Sequence, residues 1–118
     1  MAEDTASRFR KAVDLRINGE YDEAEALFKS VIADEPNNAD AHHELGLVYG
    51  FKVMDESIPE LETAVRLQPD SVTFLNSLAK THTMFGDFDK AKPLFLRVLQ
   101  IDPFNEEANK NLDYLNMF

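Results

Sequence analysis

Apolar residues recur along this chain at spacings of three and four, the signature of one buried face of an α-helix. Ala24, Leu27, Phe28 and Val31 form one such stripe, and Ala91, Leu94, Phe95 and Val98 repeat it. Polar punctuation precedes each stripe, as Asn18-Gly19-Glu20-Tyr21-Asp22 and as Phe85-Gly86-Asp87-Phe88-Asp89. Gly19 and Gly86 suit the left-handed residue that closes a helix. Asp22 and Asp89 suit the N-cap of the next helix, where a short side-chain oxygen accepts from free backbone N–H groups. The pattern predicts an all-α fold of about seven helices. Three antiparallel pairs fall near 5–18 and 22–35, 39–52 and 55–68, and 71–85 and 89–102, followed by a last helix near 105–117.

The pairs are copies of one unit. Pro36, Pro69 and Pro103 each end a block, at intervals of 33 and 34. Asp22, Asp55 and Asp89 keep those intervals, as do Ala24, Ser57 and Ala91. Ala12, Gly46 and Ala79 reverse the order to 34 and then 33, which places a one-residue deletion between Gly46 and Asp55. These three small residues predict close approach of the first helix of each pair to the second, against Ala24, Ser57 and Ala91. Pro59 and Pro93 share a repeat position, and both helices are expected to continue through them. So near a helix start, proline removes at most about one hydrogen bond. In the last segment Ala108, Leu112 and Leu115 make one apolar stripe, as expected of a helix that covers a final repeat.

These blocks resemble tetratricopeptide repeats, whose pattern is a 34-residue helix-turn-helix. The third repeat carries the resemblance in Leu75, Leu78-Ala79, His82, Gly86, Phe88, Ala91, Phe95, Val98 and Pro103. The first carries it in Ala12, Leu15, Gly19, Tyr21, Ala24, Phe28, Val31 and Pro36, and the second in Leu45-Gly46, Tyr49, Ser57, Leu61, Ala64 and Pro69. The match covers about residues 5–105 and implies one domain over 1–118, with repeats near 5–38, 39–71 and 72–105 and a capping helix near 105–117. Two features depart from the pattern. Lys11 stands where the family prefers Leu. The second repeat lacks the turn glycine, so Phe51-Lys52-Val53-Met54 must connect its helices differently, either as a merely shorter turn or as one that exposes Phe51 or Met54 to a partner.

Charge and composition narrow the function. The net charge is −10 and the pI about 4.6, which disfavours nucleic acid and anionic membrane as partners. There is no Cys, so disulfides and thiolate chemistry are excluded. No run approaches the ~18 apolar residues of a membrane span, and Met1-Ala2-Glu3-Asp4 opens no signal peptide, so a cytoplasmic location is expected. His43-Glu44 begins like a zinc-binding His-Glu-x-x-His, but Leu47 occupies the second ligand position. His42 and His82 fall where the repeat packs a bulky aromatic. No phosphate-binding glycine loop and no serine elbow is present. No enzyme, cofactor or metal is therefore expected.

The resemblance implies a concave, peptide-binding groove lined by the first helix of each pair. By repeat position it assigns Phe9, Arg10, Val13, Arg16 and Ile17 from the first repeat. Asp40, His43, Glu44, Leu47 and Phe51 follow from the second, and Thr73, Asn76, Ser77, Lys80 and Met84 from the third, with Lys110, Asn111 and Tyr114 from the cap. Apolar anchors beside Arg10, Arg16 and Lys80 suit a peptide or helix bearing apolar and acidic groups. Val13 and Ile17 could equally pack between helices, and the arginines could offset nearby acids. The family's two-carboxylate clamp for chaperone tails needs Lys and Asn in the first repeat, Asn in the second, and Lys and Arg in the third. Those positions hold Phe9, Val13, Glu44, Thr73 and Ser77, which argues against that ligand. Self-association through the ends of the repeat array is the alternative, since only Met1 to Asp4 precede the first repeat.

Overall fold

A computed structural model describes residues 3–118, and the described residues form seven α-helices and no strand. The predicted elements are present within two residues at each end. The helices are α1 (Thr5–Ile17), α2 (Tyr21–Asp34), α3 (Ala39–Phe51), α4 (Ser57–Leu67), α5 (Val72–Met84), α6 (Phe88–Ile101) and α7 (Glu106–Leu115). The chain divides into two compact units, Met1–Leu67 with α1 to α4 and Gln68–Phe118 with α5 to α7. Of the segment preceding the first repeat, Met1 and Ala2 lie outside the described residues. Asp4 caps α1, its carboxylate accepting from the Ser7 N–H at 2.7 Å.

In the first unit α1 packs on α2, α2 on α3 and α3 on α4. Ala12, Ala24, Phe28, Leu45, Val48 and Tyr49 form the core, with Phe9, Val13, Leu15 and Met54 against it. In the second unit α6 packs between α5 and α7, and Ala79, Ala91, Phe95, Val98, Ala108 and Leu115 are fully buried. The Ala108–Leu112–Leu115 stripe of α7 faces inward, as its sequence predicts. Phe28 and Phe95 are both 0% exposed, so truncation of either to Ala should cost about 3–5 kcal/mol.

Gly46 is a close-approach site. A Cβ there would lie 2.7 Å from Leu61 Cγ, so the nearest neighbour is Leu61, one turn beyond the expected Ser57. Ser57 is itself fully buried, in register with Ala24 and Ala91, and its hydroxyl has no hydrogen-bond partner. His42 is buried too. Its ring nitrogens lie 2.7 Å from Glu60 Oε2 and 2.7 Å from the Pro36 carbonyl, so it ties the start of α3 to α4.

The capping expectation at Asp22 and Asp89 is corrected. The N-caps of α2 and α6 are Glu20 and Asp87, neither with a side-chain capping bond, and the two aspartates lie inside the first turn. The glycines explain the shift. Gly19 and Gly86 hold φ of 81° and 83°, which lets the chain re-enter a helix at once. Their turns share one clasp, with Gly19 N–H bonded to Arg16 O and Glu20 N–H to Leu15 O, and likewise Gly86 to Thr83 and Asp87 to His82. An acidic first turn still favours α2 and α6 through the helix dipole.

The second hairpin builds that clasp without glycine. Val53 N–H bonds to Gly50 O and Met54 N–H to Tyr49 O, with Val53 at φ 55°. Val53 thus holds the place of Gly19 and Gly86. Asp22 and Asp89 follow their glycines by three residues, whereas Asp55 follows Val53 by two, so the deletion lies just after Val53.

Candidate functional site

The residues assigned to a binding groove divide between the two units. In the first, α1 and α3 run alongside one another and present Phe9, Arg10 and Leu47 at or near the surface. A cavity of about 280 Å³ opens at the N-terminal ends of these helices, lined by Thr5, Ala6, Phe9, Arg10, Glu35, Asn38 and Asp40. Phe9 forms its apolar wall and packs edge-on against the Phe28 ring, with centroids 5.7 Å apart. Glu35 is held in place by the Thr5 hydroxyl at 2.6 Å and the Asn38 amide at 3.0 Å. These bonds, Thr5 first, hold its carboxyl below the usual glutamate range. Arg10 is exposed and forms no ion pair among the described residues, its nearest bond being to the Ser7 hydroxyl at 3.3 Å.

The other assigned residues meet different environments. Arg16 is committed to Glu44, with Nε 2.5 Å from Oε2 and both side chains under a fifth exposed, so the two neutralise each other. Val13 packs on the core, and His43 is buried. Ile17 and Phe51 are exposed at the C-terminal ends of α1 and α3, away from the cavity at the opposite ends.

In the second unit Lys80 pairs with Glu107 of α7, and Asn76 is buried with its amide donating to Asn105 Oδ1 at 3.2 Å. Ser77 is buried, while Thr73, Met84, Lys110 and Tyr114 are exposed. Of the three basic residues assigned to ligand charge, Arg10 alone forms no ion pair among the described residues, its charge reaching the nearby Asp4 carboxylate. The sequence could not show the Arg16–Glu44 pair, because its members are 28 residues apart and meet only through packing of α1 beside α3. The signal available was the presence of opposite charges on successive first helices.

Among the described residues no three His, Cys, Asp or Glu side chains gather as a metal site. No helix among them is long and apolar enough to cross a membrane.

Comparison with known proteins agrees with the all-α repeat fold. A family model described as TPR repeat matches residues 12–50, and one described as Tetratricopeptide repeat matches 54–106. The boundary between them falls at the shortened α3–α4 turn. The chain is 24% identical over 99 residues to the heat shock protein STI1 of Saccharomyces cerevisiae, covering 82% of this chain and 17% of that one. It is 32% identical over 79 residues to the uncharacterized protein ycf37 of Pyropia yezoensis, covering 65% and 44%. It therefore spans less than half the length of either relative. Among solved structures it superposes on the first TPR of Spaghetti (RPAP3) bound to an HSP90 peptide. The TM-score is 0.91 at 19% identity, covering 96% of this chain and 90% of that one.

Proposed function

Since this chain belongs to the tetratricopeptide-repeat family, we propose that it is a non-catalytic protein-interaction module that holds a segment of another protein on the α1–α3 face of its first unit. The observation that carries this reading is the open cavity lined by Phe9, by Arg10, which has no ion pair among the described residues, and by the carboxylates Glu35 and Asp40, the first of them already held by Thr5 and Asn38. An apolar side chain of the partner would lie against Phe9, and a carboxylate would meet Arg10. Leu47, half-buried on α3, would extend the apolar contact.

The TPR relative solved with an HSP90 peptide supports peptide capture as the mode. The ligand class differs, because the clamp positions here hold Phe9, Val13, Glu44, Thr73 and Ser77. The half-buried Arg16–Glu44 pair further along the face offers no free charge, so recognition rests on one cation and apolar contact. Binding energy should concentrate in a few apolar anchors, each worth about 2 kcal/mol or more on truncation. Arg10 should act chiefly on association rate and salt dependence.

The test is an array of 12-residue peptides carrying apolar and acidic residues. Hits are measured against the parent, Arg10→Glu and Leu47→Ala, each first checked for unchanged helicity. Binding that weakens about tenfold in both variants supports the face. Parent-like binding in both removes it.

A further inference from the structure

A different surface lies at the opposite end of the first unit, where the α1–α2 and α3–α4 turns meet. Ile17 closes α1 and is 66% exposed, Phe51 closes α3 and is 56% exposed, and Val53 heads the second turn at 68%. The two turns are joined directly. The Phe51 ring stacks on Tyr21, with centroids 5.4 Å apart and planes 12° apart. Lys52 bridges Asp22 at 2.7 Å and Glu25 at 3.1 Å. Clustered exposure of large apolar groups marks an interaction surface, whereas single exposed residues need no explanation.

Val53 adds a second observation. Its equivalents in the other hairpins are glycines, and a β-branched residue at φ 55° is strained. Two-thirds exposed, its side chain gives little back in burial within the fold. A strained residue with no compensation inside the protein points to a role outside it.

The surroundings fix the chemistry of the occupant. Glu20, Asp22, Glu23, Asp55 and Glu56 are all exposed around the apolar patch. Lys52, the one cation of these turns, is already held by Asp22 and Glu25. A recess of about 290 Å³ opens on the first turn, lined by Tyr21 and the carboxylate-bearing Glu20, Asp22 and Glu23. Carboxylates gathered beside an aromatic side chain suit an ammonium or guanidinium group. A second copy of this chain, docked patch to patch, would set these acids against themselves.

We propose that this end of the first unit docks a short basic segment of a partner protein, with bulky apolar side chains on Ile17, Phe51 and Val53 and a lysine or arginine in the recess beside Tyr21. This surface is separate from the α1–α3 face and does not depend on it.

The experiment uses the full chain, labelled for amide NMR, and two 14-residue amphipathic probes of equal apolar content, one rich in lysine and the other with each lysine replaced by glutamate. The lysine probe is expected to shift the amides of residues 17–23 and 51–56, while the glutamate probe leaves them unmoved. Val53→Gly relaxes the turn without risk to folding and should weaken the lysine probe at least fivefold. Glu20→Lys with Glu23→Lys should weaken it at least tenfold and flatten its salt dependence. The proposal is overturned by a lysine probe that fails to bind, by equal binding of both probes, or by parent-like affinity in Val53→Gly. It is also overturned if sedimentation shows self-association that Val53→Gly abolishes, since the occupant would then be a second copy. Shifts induced by the glutamate probe around Arg10 bear only on the α1–α3 face, so the two readings fail separately.

Discussion

Replacing Gly46 with Ala adds one methyl group at the tightest contact between α3 and α4. Two effects oppose each other there. An alanine in a helix interior is favoured over glycine by about 0.5–1 kcal/mol. Against this, the new Cβ would lie 2.7 Å from both Leu61 Cγ and Cδ2, and 3.3 Å from the Leu61 backbone nitrogen. Leu61 is 1% exposed and Cγ is not the free end of its side chain, so relief requires the helices to part. Overpacking of this kind costs about 1–3 kcal/mol. The net expectation is destabilisation of about 1 kcal/mol for Gly46→Ala, rising to about 2–3 kcal/mol for Gly46→Leu. Gly50 supplies the control on the same helix, because a Cβ there meets nothing within 4 Å. Gly50→Ala should stabilise by about 0.5 kcal/mol through propensity alone. Urea unfolding reads both, with the slope m unchanged and the midpoint moving by about 0.5 M per kcal/mol or somewhat less. If Gly46→Ala raises the midpoint as much as Gly50→Ala, the close approach of α3 to α4 is refuted.

Val53→Gly should stabilise by about 0.5–1 kcal/mol, since relief of the left-handed strain outweighs the added freedom of the unfolded chain. A thermal midpoint that falls would contradict the assigned turn. Ser57→Ala removes a buried hydroxyl that has no partner and should stabilise by about 1 kcal/mol, readable by the same urea titration. The Lys29 ammonium, then Lys52, holds the Glu25 carboxyl below its ordinary range. Its contribution is therefore present above the unfolded-state value and is lost as pH falls through the lower folded-state value. The stability difference between the parent and Glu25→Gln should accordingly shrink as unfolding is repeated from pH 6 down to pH 3, and a difference that grows would reverse the sign.

The features legible in the sequence were those fixed by spacing. Small residues, prolines and apolar stripes recur with the repeat and placed all seven helices, because each repeat must bury the same face. The deletion between Gly46 and Asp55 was legible as well, though its position after Val53 was not. No residue scale anticipates a valine in the left-handed region, and only the hydrogen bonds of the clasp reveal it. The N-cap expectation at Asp22 and Asp89 fails for a related reason. The glycine turn is so tight that the helix begins before Asp22 and Asp89 are reached.

The binding residues were less legible because a charge in sequence is not a charge available to a ligand. Arg8, Arg16, Lys52, Lys80 and Arg97 each close an ion pair with a carboxylate on another segment of their unit. With 22 acids against 12 lysines and arginines, internal pairing consumes cations and leaves carboxylates over. A basic residue on a helix face is therefore weak evidence for an acidic ligand in this chain, unless, as with Arg10, packing leaves it with no ion pair among the described residues. The surplus carboxylates are better evidence about the partner when the fold gathers them around exposed apolar surface. Only there does desolvation of the apolar group oblige a ligand to come close enough for charge to matter, since salt at physiological strength screens exposed charges beyond about 8 Å. The turn-end surface of the first unit meets that condition, because Phe51 and Val53 stand among acids whose only local cation is already bound.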